Sequence, residues 1–401
     1  MSDGKNLHRA KEAKQDEYYT QLEDIENELK HYKGHFKGKT VLCNCDDPFE
    51  SNFFKYFAMN FNHLGLKKLI STCYVSSPIM YTQLSLFDDM EYSYPDPQVA
   101  RKKPYKVEIT EVSDLTGNGA IDLDDIKLLL KQQNNVCAVL QGDGDFRSDE
   151  CVSLLKEADI VVTNPPFSLF REYLAQLFEY NKKFVILGNK NAITFKEIFP
   201  YIKNNRMWIG MTPMSKELYF DVPKAHADYL LNQNRDRSIV LHNGRLMARA
   251  GAIWYTNLDI EKRHEEMILY KPFSSEEYKR YDNYDAINID RTIDIPCDYF
   301  QTMGVPITFL DKYNPEQFEI VGLAPERLSE NESSLQIKRY TNAVQHKKDG
   351  TTCSGNKVND GPVIVHDTPP KKYPYYTSET VPDKYLEVLY ARILIRRKEQ
   401  K

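Results

Sequence analysis

The stretch VVTNPPFS, residues 161–168, ends an apolar run with two adjacent prolines. Ala158 to Thr163 is mostly apolar, β-branched at its end and bounded by a breaker, which predicts a short buried strand. Neither proline can donate a ladder hydrogen bond and each fixes its own φ, so the strand must stop there. The product is a stiff turn at the carboxyl end of a strand, with an amide before it and an aromatic ring after it. Outward from this turn, strand-like and helix-like segments alternate. Strands are predicted at 39–45, 67–74, 105–112, 136–140, 183–187, 207–210 and 252–257. Helices are predicted at 22–33, 49–64, 123–133, 169–180 and near 195–203. This alternation implies an α/β fold with a mostly parallel sheet covered on both faces. Ligands in such sheets bind outside the carboxyl ends of the strands, where NPPF (164–167), CNCDDP (43–48) and GDGDF (142–146) all emerge.

The chain has 401 residues, 41% hydrophobic and 28% charged, enough for two domains with real cores. A first domain is expected over 1–259, with a polar insertion at about 76–104. A more irregular region is expected over 260–401, with strands at 307–310 and 318–321 and a mobile loop over 341–372 around the apolar island 363–365. No apolar run approaches bilayer length, and the polar N-terminus argues against a signal peptide, so a cytoplasmic protein is expected. Seven cysteines without a Cys-x-x-Cys pair argue against a disulfide framework and a structural zinc site, and Cys43 and Cys45 read as core residues. The net charge of −5 gives no hint of a polyanionic partner. Local basic clusters at Arg101–Lys103, Lys347–Lys348 and Arg392–Lys398 can track phosphates or simply be solvated surface.

The NPPF turn suits one chemistry well. The Asn164 side-chain carbonyl and the Pro165 backbone carbonyl can accept both hydrogens of a planar amino group, Pro166 stiffens the turn, and Phe167 can stack on the ring. Such acceptors return the delocalised lone pair to nitrogen and meet the positive charge that develops during attack on a methyl sulfonium. The plain structural alternative is a Pro-Pro turn after a strand. Elsewhere, Thr20 and Glu23 fit a capping box, and the same helix start can receive a carboxylate, with Tyr18 or Tyr19 facing a sulfonium. Asp46-Asp47-Pro48 can bind an α-ammonium or begin a helix. Asp145 can accept from an adenine amino group while Phe146 packs on the ring, or it can form an Asx turn.

The order DEYYTQ (16–21), VLCNCDDP (41–48), SNFFKYF (51–57), GDGDFRS (142–148) and TNPPF (163–167) resembles the EcoRI-type family of adenine-specific DNA methyltransferases. The likeness continues through ENELKHYKGHFKGK (26–39), LGLKKLISTCY (64–74) and MGVPITFLDKYNPEQFEIVG (303–322), covering most of residues 5–325. It implies a Rossmann-like catalytic domain dependent on S-adenosylmethionine, followed by a target-recognition region, in the γ order. By the resemblance, Tyr18, Tyr19 and Thr20 match the N-terminal donor-binding segment and Asp46, Asp47 and Pro48 the first donor turn. Asp145 and Phe146 match the adenine contact, and Asn164, Pro165, Pro166 and Phe167 the catalytic motif. The expected activity is N6-methylation of a flipped adenine in double-stranded DNA, as a solitary enzyme or beside a cognate restriction endonuclease. The family's first donor turn lacks the usual glycines, and so does this chain between Cys43 and Phe54.

Three alternatives stay open on sequence: methylation of RNA adenine, methylation of a protein glutamine, and a non-catalytic nucleic-acid-binding protein with a methyltransferase fold. A further motif, DLTGNGAIDLDD (114–125), fits a calcium-loop spacing with Thr116 at position 3 and Asp125 at position 12. A strand rather than a helix precedes it, so a turn leading into the next helix is the favoured reading and calcium the other.

Overall fold

A computed structural model describes residues 19–45, 51–73, 104–131, 136–221, 239–326 and 334–399. The chain divides into two compact units, one of Met1–Lys190 with Ile209–Ile260 and the other of Asn191–Trp208 with Glu261–Lys401.

The first unit carries strands β1 (Tyr19–Thr20), β2 (Thr40–Cys43), β3 (Lys68–Thr72), β4 (Tyr105–Ile109), β5 (Val136–Val139), β6 (Ile160–Thr163) and β7 (Lys183–Asn189). β8 (Trp208–Ile209), β9 (Leu218–Asp221), β10 (Ile239–His242), β11 (Arg245–Ala250) and β12 (Ala252–Thr256) follow. Its main helices are α1 (Leu22–Leu29), α2 (Asn52–Met59), α3 (Leu123–Lys131), α4 (Asp149–Glu157) and α5 (Phe170–Glu179). The central sheet has eight strands in the order β5-β4-β3-β2-β6-β7-β12-β8. β3, β2, β6 and β7 run parallel, while β4, β5 and β12 pair antiparallel to their neighbours. The expected mostly parallel sheet is therefore parallel only at its centre. Central strands are buried on both faces, as a parallel core requires, and β2 and β6 are buried at every position.

The chain leaves β2 for β3 and then β4 and β5 on one side, and returns to β6 on the other. The order thus reverses between β2 and β6, which makes their carboxyl ends the topological switch point. Helix α2 lays Phe53, Phe54 and Phe57 into the core; Phe53 meets Trp254 edge-on at 5.9 Å and Phe57 meets Phe36 at 5.1 Å. Ser51 caps that helix by accepting from the Phe54 N–H.

A second, antiparallel sheet, β1-β9-β11-β10, was not legible in the sequence. Its two-residue first strand is too short to show alternation, and its pairing to β9 joins residues some 200 positions apart. β1 sets Tyr19 against Asp221 and Thr20 against Phe220. The expected capping box does not form. Gln21, not Thr20, is the cap residue of α1, because Thr20 is already held in the strand.

In the second unit, helix α6 (Phe199–Lys203) is joined by strands β13 (Ile287–Asn288), β14 (Met303–Pro306), β15 (Phe318–Ala324), β16 (Val344–His346), β17 (Thr352–Ser354), β18 (Val363–His366), β19 (Tyr375–Ser378), β20 (Val381–Val388) and β21 (Arg392–Arg397). They form sheets β13-β14-β21-β15 and β17-β16-β19-β20-β18. The segment expected as a strand at 307–310 is a 3-10 turn, Ile307–Lys312, that starts where Pro306 ends β14. The polar stretch 341–372, expected as a mobile loop, carries three of the strands. Gly350 turns the β16–β17 hairpin at φ +80, and Val358 and Val363 pack with Tyr340, Tyr376 and Leu386. In the basic run at the C-terminal end, Arg396 donates to the Thr302 hydroxyl, Arg397 to the Cys297 carbonyl and Lys398 to the Pro315 carbonyl.

Candidate active site

Two turns meet at the switch point. β2 ends in Cys43, Asn44 and Cys45, and β6 ends in Thr163 before Asn164. The Thr163 hydroxyl donates to the Asn44 backbone carbonyl, so the two turns are tied at the residue preceding the NPPF amide. On the other side of β2, the Ser71 hydroxyl donates to the Cys43 carbonyl at 2.9 Å. Asn164 is 8% exposed and Pro165 is buried, whereas Pro166 and Phe167 are half-buried. Pro166 sits at φ −54, ψ 123, and its carbonyl accepts from the Leu169 N–H at 2.9 Å to close a 3-10 turn, Phe167–Leu169, ahead of α5. The prolines therefore end the strand as expected, and the 3-10 turn fixes the start of the helix behind the motif.

The β2 turn solves its missing glycines in an unexpected way. Cys45 itself adopts φ +80, a left-handed conformation that L side chains rarely take. It is half-buried rather than a core residue, unlike Cys43, which is fully buried.

The GDGDF turn follows β5, the edge strand two places from β3. Gly144 has φ +76, and a Cβ there would lie 2.2 Å from the Cys73 carbonyl oxygen, so only glycine lets this turn close on the end of β3. Phe146 is buried and meets the Tyr173 ring edge-on at 5.1 Å. Asp145 is held in a two-point grip by Arg147, with Nε donating to Oδ1 at 2.9 Å and a terminal nitrogen to Oδ2 at 2.7 Å. Arg147 also donates to Glu172 of α5 at 2.9 Å, and Asp145 pushes its guanidinium further towards the charged form. The carboxylate keeps accepting capacity beyond these bonds.

At the N-terminal segment, Thr20 is 4% exposed and its hydroxyl has no hydrogen-bond partner among the described residues. Its backbone carbonyl accepts from the Asn52 side chain at 2.7 Å, and the neighbouring Gln21 donates to Asp221 at 2.7 Å. Glu28 of α1, fully buried, accepts from Tyr32, from the Thr212 hydroxyl and from the Met211 and Thr212 N–H groups, fixing α1 to the loop after β8. A buried hydroxyl without a partner fits a site that a polar ligand completes. Tyr18, Asp46, Asp47 and Pro48 lie outside the described residues, as does most of the 76–104 insertion.

Asn44, Asn52, Arg147 and Thr163 lie inside the quoted motifs but carried no assigned role, and Tyr173 lies outside them. Asn44 and Thr163 carried one available signal, since each is a polar residue closing an apolar strand. Tyr173 carried none, being one more aromatic on an apolar helix face.

The 114–125 loop is closed by its own backbone. Asp114 accepts from Gly117, Asn118 and Gly119 N–H groups, at 2.6, 3.2 and 2.7 Å. Asp125 accepts from Asp122, Leu115 and Thr116 N–H groups, which hold its carboxyl down at about 2. Among the described residues, no cluster of three or more His, Cys, Asp or Glu side chains is placed to hold a metal ion, and no helix is long and apolar enough to cross a membrane.

Comparison with known proteins gives a consistent result. Residues 6–398 match the family described as adenine-specific methyltransferase EcoRI. The chain is 46% identical to the type II methyltransferase M.EcoRI of Escherichia coli over 319 residues, covering 79% of this chain and 88% of that protein. It is 36% identical to the type II methyltransferase M.MgeORF184P of Mycoplasma genitalium, over 79% of this chain and 85% of the relative. For M.MpnI of Mycoplasma pneumoniae the identity is 34%, over 79% and 84%. No solved structure matches.

Proposed function

The chain belongs to the adenine-specific methyltransferase EcoRI family, and from that membership we propose that it methylates N6 of a flipped adenine in double-stranded DNA, with S-adenosylmethionine as donor. The observation that carries the reading is the NPPF amide at the carboxyl end of β6, tied through Thr163 to the end of β2 at the switch point. In a duplex the adenine amine is paired and stacked, so the base must leave the helix to reach this turn. The Asn164 side-chain carbonyl and the Pro165 carbonyl then accept the two amine hydrogens, and Phe167 stacks on the base. This would leave the nitrogen lone pair directed away from the acceptors and in line with a donor's methyl group. As the nitrogen–methyl bond forms the sulfur–methyl bond breaks, and the nitrogen gives up one of its hydrogens to solvent.

When bound, S-adenosylmethionine supplies a methyl group made electrophilic by its sulfonium. The residues present suit such a donor. The Thr20 hydroxyl, without a partner among the described residues, offers a bond to its amino-acid end, Asp46 or Asp47 a carboxylate for its ammonium, and Asp145 with Phe146 an acceptor and a ring for its adenine. By the family resemblance, Tyr18 or Tyr19 is the residue to face the sulfonium, and Pro48 belongs to the first donor turn. The second unit, from about residue 260 onward, is assigned the reading of the DNA sequence. A cognate restriction endonuclease is the partner expected of a modification enzyme, and the cytoplasm its place. Expression in a host lacking this activity, followed by methylation-sensitive long-read sequencing, is expected to reveal one new methyladenine motif. Host DNA without any new modified adenine would overturn the proposal.

A further inference from the structure

Asn44 is a buried polar residue at the switch point, inside the CNCDDP stretch but with no role assigned to it so far. It is 5% exposed, and its Oδ1 accepts from the Tyr173 hydroxyl of α5. Its Nδ2 bonds to no described residue. A primary amide is planar, with carbonyl and amino group on opposite sides of one carbon. By capturing the carbonyl, the tyrosine hydroxyl fixes which way the amide is turned and directs the amino group away from α5. The residue cannot drift, because its backbone carbonyl is held by Thr163. The result is an oriented pair of N–H donors, one residue before Cys45 and beside the strand that leads into Asn164.

An N–H donor left open there takes an acceptor from whatever binds beside it, and the two substrates differ in what they offer. The target amine presents hydrogens, which Asn164 and Pro165 already meet with carbonyl oxygens. The donor's amino-acid end presents a carboxylate, the strongest acceptor on either molecule. We propose that the Asn44 amide binds the amino-acid carboxylate of the methyl donor and that Tyr173 is the positioning residue that holds this amide in its binding orientation. Tyr173 also carries the Phe146 ring at 5.1 Å, so one helix side chain sets both ends of the donor site. The inference rests on the donor binding proposed above.

The test is calorimetric titration with S-adenosylmethionine alone, without DNA, on four proteins: wild type, Tyr173→Phe, Asn44→Asp and the double variant. Tyr173→Phe keeps the ring against Phe146 and removes only the hydroxyl; it is expected to weaken donor binding about fivefold. Asn44→Asp keeps an acceptor for Tyr173 but replaces the N–H donors with a charge that repels the carboxylate, and is expected to weaken binding at least about tenfold. The decisive comparison is the double variant, in which Tyr173→Phe is expected to add nothing to the Asn44→Asp loss. A purely structural tyrosine would cost the same factor in both backgrounds, and that additivity would overturn the proposal. So would unchanged donor affinity in Tyr173→Phe, or a fall in kcat at saturating donor with affinity intact, which would place the amide against the base. If Asn44→Asp fails to fold by thermal melting, the donor KM of Tyr173→Phe decides alone: a raised KM with unchanged kcat supports the assignment and the reverse overturns it. A wild type that binds no S-adenosylmethionine refutes the proposed function itself, a result distinct from tight wild-type binding with indifferent variants.

Discussion

The turn at the end of β2 and the loop at 114–125 both follow strands, both are rich in Asn and Asp, and both fit a functional spacing. Their atoms are used in opposite ways. In the loop, the positive backbone angles fall on glycines, Gly117 at +73 and Gly119 at +88, and the carboxylates of Asp114 and Asp125 are engaged by backbone N–H groups. Nothing there is strained. At the switch point, the positive angle falls on Cys45 at +80 and the Asn44 amino group bonds to no described residue, while in the N-terminal segment the buried Thr20 hydroxyl has no partner among the described residues. Strain and buried polar atoms left for a ligand are the marks of a site, whereas a self-satisfied turn needs no ligand to explain it.

That contrast makes its largest claim at Asn164. Removing the side-chain acceptor by Asn164→Ala is expected to lower adenine methylation by roughly 10²–10³-fold, the loss associated with a single preorganised group at a developing charge. Donor affinity, measured by calorimetry, should stay close to wild type, because the acceptor serves the other substrate. Wild-type turnover in this variant would remove the distinction between the two turns at its strongest point.

The loop yields a smaller effect of a different kind. Asp114→Ala deprives three backbone N–H groups and the Thr116 hydroxyl of their acceptor, so about 1–2 kcal/mol of stability is expected to go, seen as a melting temperature lower by a few degrees. Methylation is expected to be unaffected. Calcium should release no heat on titration into wild type and leave its melting temperature unchanged, since binding would first have to displace the backbone donors. A calcium-induced rise in melting temperature that Asp114→Ala abolishes would turn the loop into a site and break the comparison.

The two regions were unequally legible in the sequence, for physical reasons. The parallel centre of the sheet announced itself because β2, β3, β6 and β7 are short apolar runs closed by polar or proline breakers. NPPF was legible because proline restricts the backbone whatever surrounds it. The β1-β9-β11-β10 sheet was not, since a two-residue strand has no periodicity and its partner lies far along the chain. The second unit's polar strands escaped for a related reason. In β16 and β17 the side chains are largely solvent-facing, so the ladder is held by backbone bonds that leave no hydrophobic pattern. At the site, the residue types of the donor turns were visible, but the Tyr173–Asn44 bond joins α5 to β2 across 129 positions and only the fold creates it. Thr20 was legible as one of two alternatives, and β1 pairing removed the capping one.

The smallest effect tests the strain itself. Holding a non-glycine residue in the left-handed region costs about 1–2 kcal/mol. Glycine at position 45 would relieve that cost but lose about 0.5–1 kcal/mol through the greater freedom of the unfolded chain. Cys45→Gly is therefore expected to be more stable than wild type by up to about 1 kcal/mol, a rise of a few degrees at most in melting temperature. The same change at Gly117 or Gly119 in the opposite direction, glycine to cysteine, should destabilise, because there the strain is absent until a side chain introduces it. If Cys45→Gly is instead less stable, the Cys45 side chain contributes more by its contacts than its backbone costs. The left-handed angle would then be a by-product of packing rather than a strain held for the site.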